Sequence, residues 1–124
     1  MPPLVAQLDT ACPGYVPDPD DAGLAYMWMG GFVEHVIAAH RAGRIDEVQA
    51  VFAVIERAIG RGGEDANLAV VGFLEDLQNG NLHPDGSTPA EFKSYLGGPE
   101  SILAWDQLNG FWHAVEATKG QRDS

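Results

Sequence analysis

The longest apolar stretch of the chain covers residues 22–39, and only three polar side chains interrupt it, Tyr26, Glu34 and His35. On a helix, the large apolar side chains of this stretch cover nearly the whole circumference, which is typical of a helix packed inside a bundle. A membrane span is the alternative, but Glu34 and a glycine pair lie mid-stretch and no basic residues flank its start. We therefore predict a buried central helix over residues 21–41.

The segments on either side of the central helix contain its start and stop signals. A short first helix is predicted within residues 1–12, followed by a proline-rich extended connector over residues 13–20. Asp20 or Asp21 then caps the central helix, where a negative charge also suits the helix dipole. After Arg41, an Ala-Gly pair predicts a helix end formed by glycine.

The remaining sequence predicts further helices. Amphipathic spacing indicates one from about residue 46 to 59, antiparallel to the central helix because the connector is short. A glycine-rich turn leads to a third long helix at residues 65–78, a short one follows at residues 88–96, and a last one starts at Pro99. No alternating pattern typical of strands occurs. The predicted fold class is all-α, a compact bundle of about five to six helices built from antiparallel helical hairpins around a buried central helix.

The length and the cysteine content of the chain limit the number of domains and disulfides it can contain. The 124 residues fit a single helical domain over residues 1–124, with residues 1–20 as an N-terminal arm and linker and residues 119–124 as a disordered tail. Cys12 is the only cysteine, so no intrachain disulfide is possible, and the N-terminus lacks the pattern of a signal peptide. We expect a cytoplasmic protein.

The net charge of the chain favours some classes of binding partner and disfavours others. Eighteen acidic and seven basic residues give a formal net charge of −11, and no lysine or arginine precedes Arg41. Nucleic acid and anionic membrane surfaces both require clustered basic residues, so neither is an expected partner. A basic protein partner is favoured, because a negative field steers such a partner toward the surface. Plain solubility is the alternative explanation of the charge.

Catalytic or metal chemistry finds little support in the sequence. His35 and His40 lie five residues apart on the central helix, which splays them by about 140° and disfavours a zinc pair. Cys12 has no recognisable nucleophile context. We expect no catalytic residue, no metal site and no cofactor, and therefore no enzyme.

Two polar helix faces remain as candidate binding surfaces. Glu75 and Asp76 form an acidic pair on the third long helix, and Asp106 shares a stripe of the last helix with His113. An aspartate two turns from a histidine suits proton transfer, but an ordinary polar or binding face is the better interpretation because no nucleophile accompanies them. The predicted partner-binding residues are Glu75, Asp76, Asn79, Asp106, Asn109 and His113.

Three glycines, Gly30, Gly31 and Gly72, fall inside predicted helices. Each costs roughly 1 kcal/mol relative to alanine, so a compensating role is expected. Close helix–helix approach is favoured, with a local kink or a contact groove for another chain as alternatives.

Three segments of the sequence also resemble a known family. They are VGFLEDLQN at residues 71–79, FxxYLGxPES at residues 92–101 and WDxLNxFW at residues 105–112. Together they resemble a small bacterial family of uncharacterised helical proteins associated with immunity proteins, which are encoded beside polymorphic or secreted toxins. The resemblance covers about residues 30–113, and in this chain a second glycine, Gly98, intervenes in the middle segment.

The resemblance implies a helical protein that neutralises a cognate toxin by direct binding, through an interface of standard size. It supplies no catalytic motif that can be carried over. Many toxins that act on nucleic acid or nucleotides are basic, which fits the acidic charge of this chain. A general helical adaptor or scaffold, monomeric or homodimeric, is the alternative, and an enzyme that uses Asp106 and His113 is the third hypothesis.

Overall fold

The computed structural model describes residues 3–17, 24–78, 89–108 and 110. No strand occurs in these ranges, and the helices pack into one bundle, so the all-α prediction is confirmed. The helices are α1 (Pro3–Ala11), α2 (Ala25–Arg41), α3 (Ile45–Arg61), α4 (Gly63–Asn67), α5 (Glu75–Gln78) and α6 (residues 99–108). A π-helical segment (Leu68–Leu74) joins α4 to α5, and a 3-10 helix covers Pro89–Tyr95.

The core joins elements from both ends of the described chain. Leu8 of α1, Phe32 of α2 and Ile55 of α3 are fully buried, and Trp105 of α6 is 1% exposed. Full burial of an aliphatic or aromatic side chain contributes about 1.5–3 kcal/mol each. The predicted N-terminal arm therefore contributes, through α1, to the same core as the central helix.

The central helix starts later and is less enclosed than the sequence pattern predicts. It begins at Ala25 after Leu24, which is extended and provides no side-chain cap, so the predicted aspartate cap is wrong. Gly23 immediately precedes Leu24 in the sequence and disfavours an earlier helical turn. Met27 is 55% exposed and Tyr26 is 48% exposed, so the first turn of α2 faces solvent on one side. No helix in the described ranges combines the length and apolarity needed to cross a membrane.

The end of α2 follows the prediction. The amide of Gly43 donates to the His40 carbonyl at 3.1 Å, and the amide of Arg44 donates to the Ala39 carbonyl at 2.9 Å. Gly43 has a φ of 79°, a conformation that glycine adopts without steric cost. This glycine stop allows α3 to start at Ile45 and to pack on α2 as the second arm of the predicted hairpin.

The predicted third long helix contains a π-helical segment in its middle. Hydrogen bonds in a π-helix span one residue more than in an α-helix, so the apolar pattern shifts around the axis. Val71 lies within the apolar run at residues 68–74 and is 42% exposed, whereas Gly72 is buried. A Cβ added at Gly72 would lie 3.2 Å from Cγ of Met29 in α2. Gly72 therefore permits the close approach of two helices, as predicted.

The glycine pair of α2 has different neighbours from those expected. A Cβ added at Gly31 would collide with the hydroxyl of Tyr15, which lies in the connector after α1. A Cβ at Gly30 would lie 3.8 Å from Oδ2 of Asp76. Gly31 thus accommodates an aromatic side chain of the connector rather than a second helix.

A carboxylate of α3 organises the C-terminal part of the described chain. Glu56 Oε1 accepts hydrogen bonds from the amide and the hydroxyl of Ser101, and Oε2 accepts one from the amide of Glu100, all at 3.1 Å. These groups belong to the first turn of α6, whose amides have no partner within the helix. A Cβ at Gly98 would overlap the Glu56 carboxylate, which gives the additional glycine a structural reason. Thr88, at the start of the short helix predicted over residues 88–96, and the predicted tail at residues 119–124 lie outside the described residues.

Candidate functional site

The predicted partner-binding residues that the structure describes lie on two adjoining segments. Glu75 and Asp76 occupy the first turn of α5, and Asp106 is exposed on α6. Nε2 of Gln78 donates a hydrogen bond to the carbonyl of Trp105 at 3.1 Å, so the end of α5 contacts α6. Glu75, Asp76 and Asp106 are termed the acidic surface below. Three predicted members lie outside the described residues: Asn79, Asn109 and His113.

The ionised carboxylate of Asp76 lies in an unfavourable electrostatic environment within this surface. Partial burial, and then the neighbouring charge of Glu75, raise the pKa of Asp76 to about 6. Both effects act against the ionised carboxylate, and Glu75 adds a like charge beside it. At neutral pH the carboxylate is ionised in a setting that a nearby cation would stabilise.

A second group of side chains forms a cluster that the sequence did not predict. Cys12 directly follows α1, His35 lies on α2 and Glu47 lies on α3. Oε1 of Glu47 is 2.7 Å from Sγ of Cys12 and 3.2 Å from Nε2 of His35. The three atoms that could act as metal ligands all lie within 4.8 Å of one another. These three residues are termed the Cys–His–Glu cluster.

Neighbouring side chains hold the cluster in place. Nη1 of Arg44 lies 3.4 Å from Oε2 of Glu47, the oxygen that faces away from the cysteine and histidine contacts. The ring of Tyr15 packs on the ring of His35 with centroids 5.5 Å apart. Cys12 is fully buried, whereas the side chains of His35 and Glu47 are 17% and 20% exposed. Solvent therefore reaches the cluster past the imidazole and the carboxylate.

The protonation of the cluster follows from its hydrogen bonds. Burial, reinforced by the hydrogen bond and the charge of Glu47, raises the pKa of the Cys12 thiol to about 12. The hydrogen bond from Cys12 in turn lowers the pKa of Glu47, against the opposing effect of burial. The thiol is thus protonated and donates to an ionised carboxylate. A neutral, buried thiol is a poor nucleophile, so this arrangement does not activate Cys12 for catalysis.

The two histidines of α2 have separate environments, as their spacing predicts. Nδ1 of His40 lies 2.7 Å from the hydroxyl of Tyr95, and Nε2 lies 3.5 Å from Oε1 of Glu91. The His40 ring also packs on Phe92 with centroids 4.7 Å apart. His40 therefore joins α2 to the 3-10 helix, while His35 belongs to the Cys–His–Glu cluster.

A cavity of about 450 Å³ lies between α3 and the segment that contains the 3-10 helix. Phe52 and Tyr95 contribute apolar walls, and Glu56 and Arg57 contribute charged groups. Its lining includes no member of the acidic surface and no member of the Cys–His–Glu cluster. The cavity is therefore separate from both groups.

Comparison with known proteins gives a family without an assigned activity. No curated protein and no solved structure matches the chain. A family model matches residues 5–113, a range that includes the Cys–His–Glu cluster and all six predicted partner-binding residues. The chain therefore belongs to the family described as Domain of unknown function (DUF7674).

Proposed function

We propose that this protein is a non-catalytic binding protein that engages a basic protein through the acidic surface, and that this partner is a bacterial toxin which it neutralises. The observation that supports the binding surface is Asp76, whose pKa is raised to about 6 by burial and by the charge of Glu75. The proposal that the partner is a toxin rests on the resemblance of the segments at residues 71–79, 92–101 and 105–112 to a family associated with immunity proteins.

The electrostatics of Asp76 favour a cationic contact. Forming an ion pair at an interface usually costs the desolvation of both partners. Asp76 is already partly desolvated in the free protein, so a lysine or arginine placed beside it gains attraction without the full desolvation cost on this side. The net charge of −11 adds long-range steering of a basic partner toward the protein.

The adaptor hypothesis has less support from the contacts of its glycines. Gly31 faces the hydroxyl of Tyr15, and Gly72 faces the side chain of Met29. Side chains of this chain thus occupy the space that a glycine-lined groove would offer to another chain. Sedimentation of the purified protein distinguishes the two functions, because a tight homodimer supports the adaptor.

Capture from the native host followed by a growth assay tests the proposal. The wild-type protein is compared with the double variant Glu75→Lys/Asp76→Lys and with the control Asp9→Lys/Glu34→Lys. The control replaces two exposed acids of α1 and α2 and changes the net charge equally. Circular dichroism of each variant verifies that it is folded.

The captured basic protein is expected to arrest growth when expressed alone. Co-expression of the wild-type or control protein should restore growth, and co-expression of the Glu75→Lys/Asp76→Lys variant should not. A captured protein that is harmless by itself would contradict the proposal that the partner is a toxin. Full rescue of growth by the folded Glu75→Lys/Asp76→Lys variant would contradict the proposal that the acidic surface binds the partner.

A further inference from the structure

We propose that the Cys–His–Glu cluster is a binding site for a zinc ion. Its donor atoms are one cysteine sulfur, one histidine nitrogen and one carboxylate oxygen, which are the three ligand types that zinc takes from proteins. They come from three separate parts of the fold, the end of α1, the middle of α2 and the first turns of α3. The site is independent of the acidic surface.

Two of the three donor separations lie within about 1 Å of those around a tetrahedral ion, and the third, between Sγ of Cys12 and Nε2 of His35, is at most 4.8 Å. Zinc–ligand bonds of about 2.0–2.3 Å place neighbouring donor atoms of a tetrahedron roughly 3.3–3.6 Å apart. The observed separation of Nε2 of His35 from Oε1 of Glu47 is 3.2 Å, close to this range. Sγ of Cys12 lies 2.7 Å from the same oxygen, so the sulfur and the carboxylate must separate by less than about 1 Å to admit the ion.

Metal binding replaces the hydrogen bond between the thiol and the carboxylate. As the zinc–sulfur bond forms, the S–H bond breaks and its proton leaves to solvent, so that Cys12 binds as a thiolate. The thiolate and the Glu47 carboxylate together balance the two positive charges of the ion. Arg44 contacts the other oxygen of Glu47 at 3.4 Å and fixes the carboxylate so that Oε1 faces the site.

An ion has a route into the cluster and room for a further ligand. The side chains of His35 and Glu47 are 17% and 20% exposed. An open depression of about 500 Å³, lined by residues 43–47, lies on the surface beside Glu47. A water molecule from this side completes the fourth position, which is the arrangement of zinc sites that have three protein ligands.

The site would act as a clamp on the N-terminal helix. Cys12 immediately follows α1, whereas the other two ligands belong to the hairpin of α2 and α3. Zinc therefore cross-links α1 to the hairpin, and binding to the folded state adds directly to stability.

Zinc titration of the purified full chain, after treatment with a chelator, tests the site. Calorimetry should show one zinc ion bound per chain, and the melting temperature should rise with zinc concentration. Cobalt(II) serves as the spectroscopic probe, because a cysteine ligand produces a thiolate-to-cobalt charge-transfer band. Proton release on binding, measured in buffers of different ionisation enthalpy, should accompany the titration.

Variants separate ligation from packing. Cys12→Ser keeps a hydrogen-bond donor to Glu47 but should abolish the charge-transfer band and weaken zinc binding at least tenfold. His35→Asn and Glu47→Gln should also weaken binding at least tenfold, whereas the control His40→Asn, on the same helix, should not. Circular dichroism establishes that each variant is folded. Absence of saturable zinc binding by the wild type, or equal binding by the folded Cys12→Ser and His35→Asn variants, would overturn the proposal.

Discussion

Glu56 on α3 accepts hydrogen bonds from both the amide and the hydroxyl of Ser101 at the start of α6. One carboxylate thereby joins two helices whose contact residues lie 45 positions apart in the sequence. It also accepts hydrogen bonds from the first turn of α6, the helix that carries Asp106 next to the end of α5. The geometry of the acidic surface therefore depends on a side chain outside that surface.

Replacing Glu56 tests this connection. Glu56→Ala leaves the amides of Glu100 and Ser101 without their acceptor, and loss of a capping or charged hydrogen bond costs about 1–3 kcal/mol. Urea denaturation should show the free energy of unfolding lowered by about this amount. Glu34→Ala, a change at an exposed acid of α2, is the control and should alter stability by less than about 0.5 kcal/mol. An equal loss of stability in Glu56→Ala and Glu34→Ala would contradict a stabilising role of Glu56 at the start of α6.

Alanine substitutions at the adjacent glycines Gly97 and Gly98 test the contact between Gly98 and the Glu56 carboxylate, with Gly97 as the matched control. Gly98→Ala places a methyl group on the Glu56 carboxylate and should destabilise the protein, whereas Gly97→Ala should be tolerated because its nearest neighbour, the Tyr95 carbonyl oxygen, is at 3.8 Å. Thermal unfolding of the two variants gives the comparison. Gly98→Ala should cost much less in a Glu56→Ala background, since the overlapping carboxylate is then absent. Additive effects would be inconsistent with this explanation of Gly98.

The raised pKa of Asp76 predicts a pH dependence of stability. Its ordinary value is 3.8 and its value in the fold is about 6. Between these pH values the folded state binds more protons than the unfolded state, so the contribution of Asp76 to stability is greatest at low pH and falls as pH rises to about 6. At roughly 1.4 kcal/mol per pKa unit the full shift corresponds to about 3 kcal/mol, and because solvent screens this partly exposed carboxylate, we expect a loss of about 1–2 kcal/mol.

Asp76→Asn should remove this part of the pH dependence and make the protein more stable than the wild type at pH 7. Chemical denaturation at several pH values between about 4 and 7 measures the slope. Asp106→Asn, at an exposed position of α6, is the control. An unchanged slope in Asp76→Asn would show that burial does not penalise this carboxylate.

The buried thiol predicts slow alkylation of the metal-free protein. Burial and Glu47 raise the pKa of Cys12 to about 12, and the thiolate is the reactive form. At pH 8 iodoacetamide should label native Cys12 at least tenfold more slowly than the cysteine of the urea-unfolded chain, as followed by mass spectrometry. Labelling at the same rate in both states would contradict a buried, protonated thiol.

The architecture was predictable where local pattern and packing agree. Apolar spacing predicts the helices, and Gly43 predicts the end of α2, because each depends on residues close in sequence. Prediction failed where a local rule was insufficient. In the π-helical segment Val71 is exposed although its neighbours in sequence are apolar, and α2 starts at Ala25 without a side-chain cap. Neither feature has a distinct signal in the order of apolar residues.

The Cys–His–Glu cluster was not predictable in the same way. His35 and Glu47 face each other across the hairpin of α2 and α3. The short connector makes the two helices antiparallel, but it does not determine which residues of one helix lie opposite which residues of the other. Cys12 joins them only because the packing of α1 on α3 brings residues 35 positions apart into contact. Such side-chain convergence depends on tertiary structure, whereas the acidic pair Glu75 and Asp76 is adjacent in sequence.

Association kinetics with the basic partner test the proposed function most directly. The association rate of the wild type is expected to fall steeply with ionic strength, because opposite charges steer the encounter. At low salt, Glu75→Lys/Asp76→Lys should slow association at least tenfold, and Asp9→Lys/Glu34→Lys, with the same change in net charge, should slow it much less. Equal slowing by the two folded variants would contradict recognition through the acidic surface and would leave net charge as the sole source of attraction.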